Sequence, residues 1–146
     1  MYDMKRIFDL FTSIVLLMVI FLPLIIIAIG VKSSSQGSIL FWSDRIGRNN
    51  KIFSMPKFRT MKINTPNKAT HLLQKPDYFI TPFGLLLRRF SMDELPQLFS
   101  IIKGEMSFVG PRPALFNQYD LIKMRNLKKI NVLMPGLTGW AQINGR

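Results

Sequence analysis

The chain contains no cysteine, a single histidine and few acidic residues. Its 146 residues include eight Asp and Glu against twenty Lys and Arg, which gives a formal net charge of +12. Without cysteine the chain forms no disulfide, no thiolate zinc site and no cysteine nucleophile. The histidine, His71, has no second histidine with which to build a metal site or an acid–base pair. We interpret it as an ordinary loop residue.

The excess of positive charge predicts an anionic partner. Nucleic acid, an acidic membrane surface and a phosphorylated substrate all suit a net charge of +12, and charge alone does not choose among them. The length allows one domain at most, because a domain typically takes about 100–200 residues.

A long uncharged segment near the N-terminus predicts a membrane element. Residues 10 to 31 carry no charge, and about 20 helical residues are enough to cross a hydrocarbon core of about 30 Å. A cleavable signal peptide fits poorly, since the apolar run is too long and no A-x-A-like site follows it. We therefore assign residues 1–32 to the membrane and residues 33–146 to a membrane-associated body.

Pro23 lies in the middle of this segment, where it removes a helical hydrogen bond and predicts a kink or a break. Two geometries compete: a re-entrant helix broken at Pro23, and a kinked single span with the N-terminus outside. Basic residues flank both ends, Lys5 and Arg6 before the segment and Lys32 and Arg45 after it. Since basic flanks favour the cytoplasm, the re-entrant geometry satisfies both ends. In either geometry the body faces the cytoplasm.

The sequence of the body, residues 33–146, predicts a mixture of short helices and strands. Residues 38–61 suit a β-hairpin around a turn with positive φ at Gly47 to Asn50, and the polar, proline-containing residues 62–78 suit a loop. Helical spacing begins at Leu95 and a stop signal follows at Gly104. Residues 115–130 suit an amphipathic helix, either interfacial or simply on the surface. The predicted fold class is α+β, mainly helical.

Two adjacent carboxylates, Asp93 and Glu94, stand in the segment SMDELPQL. Ser91 and Glu94 have the spacing of a capping box before an apolar run. Pro96 would then fall where its missing N–H is already needed, whereas Asp93 as N-cap places Pro96 in the tolerated first turn. Capping therefore accounts for at most one of the two carboxylates.

A chemical role uses both carboxylates, one as a nucleophile on phosphorus and the other as a ligand of a divalent cation. Arg88, Arg89 and Arg112 would neutralise a phosphoryl group and keep Asp93 ionised. Arg112 stands between Pro111 and Pro113, which restrain its backbone and suit a bidentate grip on phosphate. On its own, the same segment is better explained as a stiff connector that carries an exposed arginine.

The chain resembles the bacterial sugar transferases, or monotopic phosphoglycosyl transferases. The resemblance is carried by seven segments in one order: Lys5 to Asp9, Arg45 to Gly47, KFRTM at 57–61, ITPFG at 80–84, SMDELPQL at 91–98, KGEMSFVGPRP at 103–113 and PGLTGWAQINGR at 135–146. It implies a re-entrant membrane helix and a catalytic body on the cytoplasmic face of the bacterial inner membrane, in contact with lipid.

The resemblance also implies a reaction: transfer of a sugar phosphate from a UDP-sugar to undecaprenyl phosphate, with release of UMP, as the first membrane step of glycan assembly. It assigns Asp93 as the nucleophile that forms a phosphosugar intermediate and Glu94 as the Mg²⁺ ligand. The substrate-binding residues it implies are Lys57, Arg59, Arg88, Arg112, Pro113 and Arg146.

The resemblance further implies some tens of residues beyond the NGR motif, so we expect a tail to be missing after Arg146. Two alternatives stay open: an inactive assembly subunit, motivated by that ending, and a membrane-bound nucleic-acid binder, motivated by the charge. The nucleic-acid alternative has no use for the acidic pair, and we expect no nucleic-acid partner. A homo-oligomer is compatible with the sequence.

Overall fold

The computed structural model describes residues 2–65 and 76–144. His71 and Arg146 lie outside these ranges, as does most of the predicted loop at 62–78. The helices are α1 (Tyr2–Ser34), α2 (Pro76–Phe79), α3 (Pro82–Arg89), α4 (Leu98–Lys103), α5 (Tyr119–Leu127) and α6 (Trp140–Asn144). The strands are β1 (Leu40–Ile46), β2 (Ile52–Phe58), β3 (Ser107–Val109), β4 (Ala114–Leu115) and β5 (Gly136–Thr138). The predicted α+β, mainly helical fold class is confirmed.

Helix α1 is long and apolar, as predicted. Within the described residues it is the one helix with the length and composition to cross a membrane, over Asp3–Ser34, and an 18-residue window within it has a mean hydropathy of 3.3. It continues through Pro23 without a non-helical interruption, so the predicted break in the helix is wrong at the level of secondary structure. A proline removes one backbone donor, and the flanking residues can retain helical geometry around it. A re-entrant course of α1 in the membrane stays a prediction.

The predicted β-hairpin is confirmed. Strands β1 and β2 flank a short 3₁₀ turn at Arg48–Asn50. Asn49 and Asn50 have φ values of 54° and 60°, the left-handed region that asparagine tolerates better than most residues. The backbone N–H of Gly47 closes the turn by donating to Lys51 O at 2.8 Å.

Strand pairing beyond this hairpin was not predicted. A third strand extends the sheet in the order β2-β1-β4, with Arg45 opposite Leu115 in the antiparallel β1–β4 pair. A separate parallel pair joins β3 and β5, with Ser107 opposite Gly136. A Cβ at Gly136 would lie 2.1 Å from the backbone N of Gly110. Glycine is therefore required there because two backbones approach too closely for a side chain.

The helix boundaries differ from those predicted. The segment from Leu95 begins as a 3₁₀ turn, Met92–Gln97, and α4 starts only at Leu98 with Gln97 as its N-cap. The N-cap residue of α4 is therefore neither Ser91 nor Asp93, although the 3₁₀ turn itself begins directly after Ser91. Gly104 ends α4 with a φ of 83°, as its stop signal predicted. Residues 76–78, expected in a loop, belong to the short helix α2.

The amphipathic helix predicted over 115–130 is shorter, since α5 spans Tyr119–Leu127 and Leu115 belongs to β4. Tyr119 and Leu127 are largely exposed. Contact with a membrane surface therefore stays a prediction for this helix.

The chain forms two compact units, which we describe separately. The first comprises residues 1–18, 42–55 and 97–146, and the second residues 19–41 and 56–96. Ile27, Val31, Phe58 and Leu87 form a buried cluster in the second unit, with Phe83 packed against it. The last turns of α1 thus pack against β2 and α3 in a hydrophobic core. The predicted division of the chain after residue 32 stays a prediction.

Candidate active site

The two carboxylates occupy the first turn of the 3₁₀ segment Met92–Gln97. Helix α3 ends at Arg89, and Ser91 then adopts a left-handed conformation with φ of 56°. The N–H of Glu94 donates to Ser91 O at 3.2 Å, which closes the turn. The change of direction at Ser91 sets Asp93 and Glu94 on a turn that the helical periodicity of the sequence could not predict.

Strand β2 supplies the first cation of the site. Lys57 Nζ lies 2.7 Å from Glu94 Oε1, and each of the two side chains is only 14% exposed. Because successive side chains of a strand point to opposite faces, Lys57 is directed away from the core residue Phe58. Breaking a shielded pair of this kind leaves a poorly solvated charge, which is costly. The pair therefore holds Glu94 in place.

Helix α3 supplies the second cation. The guanidinium of Arg88 acts electrostatically on Asp93, and Arg88 Nε donates to Thr60 Oγ1 at 2.9 Å. Burial lowers the pKa of Arg88, while the nearby Asp93 carboxylate opposes that shift. Arginine keeps its charge near neutral pH even when its pKa is lowered in this way.

The segment KFRTM at 57–61 is joined to the start of α3, which explains why Lys57 and Arg88 converge. Thr81 caps α3 by accepting from Gly84 N at 3.0 Å, and its own N–H donates to Thr60 O at 3.0 Å. A Cβ at Gly84 would lie 2.2 Å from Thr60 O. Glycine at position 84 thus allows α3 to approach the backbone after β2.

The environment of Asp93 raises the pKa of its carboxyl group. Burial is the largest cause, Lys57 opposes it, Glu94 adds to it and Arg88 opposes it. Arg88 acts in the predicted direction, since it lowers the pKa of Asp93, but burial and the adjacent carboxylate outweigh the two cations and the net shift is upward. A raised pKa in an enclosed site is typical of groups that take part in chemistry.

The other predicted site residues are Arg59, Arg112, Pro113 and Arg146. The guanidinium of Arg59 donates to Ser38 O at 2.9 Å and Ser38 Oγ at 2.6 Å. Arg112 and Pro113 belong to the first unit, on the connection from β3 to β4, where Arg45 donates to Pro113 O at 3.3 Å. Arg146 lies outside the described residues. The structure thus brings together Asp93, Glu94, Lys57 and Arg88, while the roles of the other residues stay predictions.

Sequence reasoning gave no role to Thr60, although it stands inside the KFRTM segment. In the structure, Thr60 Oγ1 accepts a hydrogen bond from Arg88 Nε, and Thr60 O accepts one from Thr81 N at the start of α3. Gln97 was also missed: it is 2% exposed, and its Nε2 has no hydrogen-bond partner among the described residues. Its position in the SMDELPQL segment was the only available signal.

The two carboxylates of this site suit a metal ion that is bound together with a phosphorylated substrate. Among residues 2–65 and 76–144, no group of three or more His, Asp or Glu side chains could hold a metal ion. Magnesium is commonly bound by one or two carboxylates together with substrate phosphates. Asp93 and Glu94 meet that requirement chemically, and a diphosphate would supply the remaining oxygens.

Comparison with known proteins identifies the family. The sequence model of the bacterial sugar transferase family matches residues 1–146, and the chain belongs to this family. It is 40% identical, over 97% of its length, to undecaprenyl-phosphate glucose phosphotransferase of Komagataeibacter xylinus, of which it covers 28%. It is also 40% identical over 97% of its length to the UDP-glucose:undecaprenyl-phosphate glucose-1-phosphate transferase of Escherichia coli (strain K12), of which it covers 31%.

A third relative is closer in size. The chain is 41% identical over 98% of its length to the uncharacterized sugar transferase EpsL of Bacillus subtilis (strain 168), and it covers 69% of that protein. It therefore spans less than a third of the two larger relatives and about two thirds of EpsL.

Proposed function

We propose that the protein transfers a sugar phosphate from a UDP-sugar to undecaprenyl phosphate and releases UMP. The arrangement in the second unit carries the proposal: two adjacent carboxylates lie on one turn, with Lys57 paired to Glu94 and Arg88 acting on Asp93. Two anions and two cations suit a phosphoryl substrate, whose transfer depends mainly on positioning and neutralisation of charge. The activities for which the Komagataeibacter and Escherichia relatives are named support the same reaction.

In the proposed first step, a carboxylate oxygen of Asp93 attacks the phosphorus that bears the sugar. The bond between that phosphorus and the bridging oxygen breaks, and UMP leaves with the bonding electrons. In the second step, an oxygen of undecaprenyl phosphate attacks the same phosphorus and Asp93 departs as a carboxylate. The product is undecaprenyl diphosphate sugar, and covalent catalysis divides one difficult displacement into two.

The neighbouring side chains have complementary roles in this proposal. Arg88, held by Thr60, neutralises the developing charge on the phosphoryl oxygens. Glu94 would hold Mg²⁺, which when bound supplies positive charge to the diphosphate. Lys57, which balances Glu94 in the structure, would then contact a phosphate oxygen.

Helix α1 supports a membrane-bound location for the reaction. Its 18-residue apolar window is only 11% buried in the protein, so most of that surface is available to lipid. We propose that the helix lies in the bacterial inner membrane in a re-entrant course, with the body on the cytoplasmic face. At that surface, a lipid acceptor in the membrane and a nucleotide sugar dissolved in the cytoplasm would both be accessible to the site.

The first prediction tests the reaction and its nucleophile. In detergent with undecaprenyl phosphate and Mg²⁺, we expect UMP release from UDP-glucose or another UDP-sugar, with mass spectrometry detecting a phosphosugar adduct on Asp93. Asp93→Asn should abolish both UMP release and the adduct, a loss of at least about 10³-fold as for other covalent nucleophiles. Its thermal midpoint should not fall, because the substitution removes a charge that burial disfavours.

Asp44→Asn is the matched control, since Asp44 is exposed on β1 in the first unit. It should retain wild-type turnover. An active Asp93→Asn variant, or an adduct on another residue, would show that Asp93 is not the nucleophile. Absence of UMP release from every UDP-sugar tested would reject the reaction itself.

A further inference from the structure

The first two turns of α1 bind the backbone of residues 101–109 through three side chains. Arg6 donates from Nη1 to Ile101 O at 2.5 Å and from Nη2 to Ile102 O at 2.6 Å. Lys5 Nζ donates to Ser107 Oγ and, at 3.1 Å, to Val109 O. All of these contacts lie within the first unit.

Asp9 completes this group. Its carboxylate lies 3.8 Å from Lys5 Nζ, and its side chain is 6% exposed. Asp9 Oδ1 also lies 3.5 Å from the backbone N of Phe108. A nearly buried carboxylate on an otherwise apolar helix needs compensation, and Lys5 provides it while also binding the strand. These charged residues therefore have a purpose other than flanking a membrane segment.

Arg6 contacts the end of α4, where a helix leaves its last carbonyls without intrahelical partners. A cation at this position satisfies the carbonyls and interacts favourably with the helix dipole. Gly104, which ends α4, allows the approach: a Cβ there would lie 3.3 Å from Arg6 Nη2. With six residues, α4 is too short to be stable alone, so its position depends on tertiary contacts, namely the burial of Leu98 and Ile101 and the hydrogen bonds of Arg6 at its C-terminal end.

The segment held in this way connects two of the motifs of the proposed function. Helix α4 continues directly from the 3₁₀ turn that carries Asp93 and Glu94. Strand β3, held by Lys5, leads into Gly110 to Pro113, the segment with Arg112. No loop separates the two elements, because the 3₁₀ turn ends at Gln97 and α4 begins at Leu98.

We propose that Arg6 is a positioning residue for the transfer reaction, acting through α4 on the turn that carries Asp93 and Glu94, and that Lys5 and Asp9 hold β3 in the same manner. This inference rests on the proposed function. The N-terminal turns of the membrane helix are then part of the catalytic body's framework, in addition to anchoring the protein to lipid.

The second prediction tests this role with Arg6→Gln and Arg6→Lys in the full chain. We expect Arg6→Gln to lower kcat for UDP-glucose by about 10- to 100-fold, the scale expected for a small misplacement of catalytic groups. KM should stay within about twofold, measured well below the thermal midpoint of each variant. Lysine retains the charge but cannot bridge two successive carbonyls, so Arg6→Lys should recover only part of kcat.

Lys32→Gln, which removes one charge from the exposed far end of the same helix, should keep wild-type kcat. Unchanged kcat in Arg6→Gln, a rise in KM alone, or an equal loss in Lys32→Gln would overturn the proposal. If Arg6→Gln does not fold, Arg6→Lys decides by the same criteria.

Hydrogen exchange of the same variants separates this inference from the proposed function, because it needs no turnover. Faster amide exchange in Arg6→Gln or Arg6→Lys should extend from residues 101–104 to residues 92–97. Faster exchange confined to residues 101–109 would show that Arg6 only anchors α1, even in an active enzyme. If wild type releases no UMP from any UDP-sugar, the proposed function fails, and positioning for transfer fails with it.

Discussion

The pKa of Asp93 connects reactivity with stability at the scale of one residue. Because burial raises the pKa, the folded protein binds the proton more tightly than the unfolded chain does. The stabilisation from protonated Asp93 is fully present below the unfolded pKa of about 3.9. It is lost as pH rises through the higher folded pKa. At neutral pH the ionised nucleophile therefore destabilises the fold, as functional groups commonly do.

The third prediction concerns the acid limb of the pH–rate profile. The nucleophile must be ionised, so kcat/KM should fall as pH decreases. The midpoint of this fall should lie at a higher pH than that expected for an ordinary aspartate. Lys57→Gln removes a cation that lowers the pKa of Asp93, so its acid limb should move to higher pH. Initial rates across a pH series would measure the shift.

Lys51→Gln is the control, because Lys51 is exposed in the connection between the 3₁₀ turn and β2. Its acid limb should coincide with that of wild type. An acid limb that stays in place in Lys57→Gln would contradict the assignment of the limb to Asp93.

At the scale of elements, close backbone contact determines where glycine is needed. Strands β3 and β5 bring Gly110 and Gly136 so near that a Cβ on Gly136 would overlap the Gly110 backbone. Neither strand exceeds three residues, so the pair has few other hydrogen bonds with which to compensate for displacement.

The fourth prediction is that Gly136→Ala lowers the free energy of unfolding by about 1–3 kcal/mol, the usual cost of overpacking. The apparent thermal midpoint in detergent would measure the loss. Gly47→Ala is the comparison variant and should lower the midpoint less, since a Cβ there would lie 3.1 Å from both Lys51 O and Phe53 Cδ1. Equal midpoints for Gly136→Ala and wild type would mean that β3 and β5 do not approach as closely as the structure indicates.

At the scale of the whole molecule, the distribution of charge predicts how the protein lies in a membrane. The apolar segment of α1 is flanked on both sides by basic residues, and the chain as a whole carries +12. Both flanks are expected to stay with the cytoplasm. A re-entrant course is the geometry that meets this requirement.

The fifth prediction uses the absence of cysteine. Single-cysteine variants Asp3→Cys and Lys51→Cys should both resist an impermeant maleimide in spheroplasts and both react after lysis. Met18→Cys, in the middle of the apolar segment, should react poorly in either state. Reaction of Asp3→Cys but not of Lys51→Cys in spheroplasts would place the two positions on opposite faces and reject the re-entrant course.

The sequence by itself determined the features that depend on local chemistry. The family motifs, the long apolar helix, the hairpin with its Asn49–Asn50 turn and the stop at Gly104 were all predictable, because each depends on composition or on the φ preference of one or two residues. The acidic pair was found because two neighbouring carboxylates are conspicuous in a basic chain.

Only the tertiary structure decided which partners these residues have. The pairing of Lys57 with Glu94 joins residues 37 positions apart, and the contact of Arg6 with Ile101 joins residues 95 positions apart. No local pattern encodes such distances. The sign of the pKa shift at Asp93 likewise depends on burial, which outweighs nearby cations that are visible in the sequence. The sequence thus located the two carboxylates, and packing determined the direction of the Asp93 pKa shift and the residue that holds Glu94.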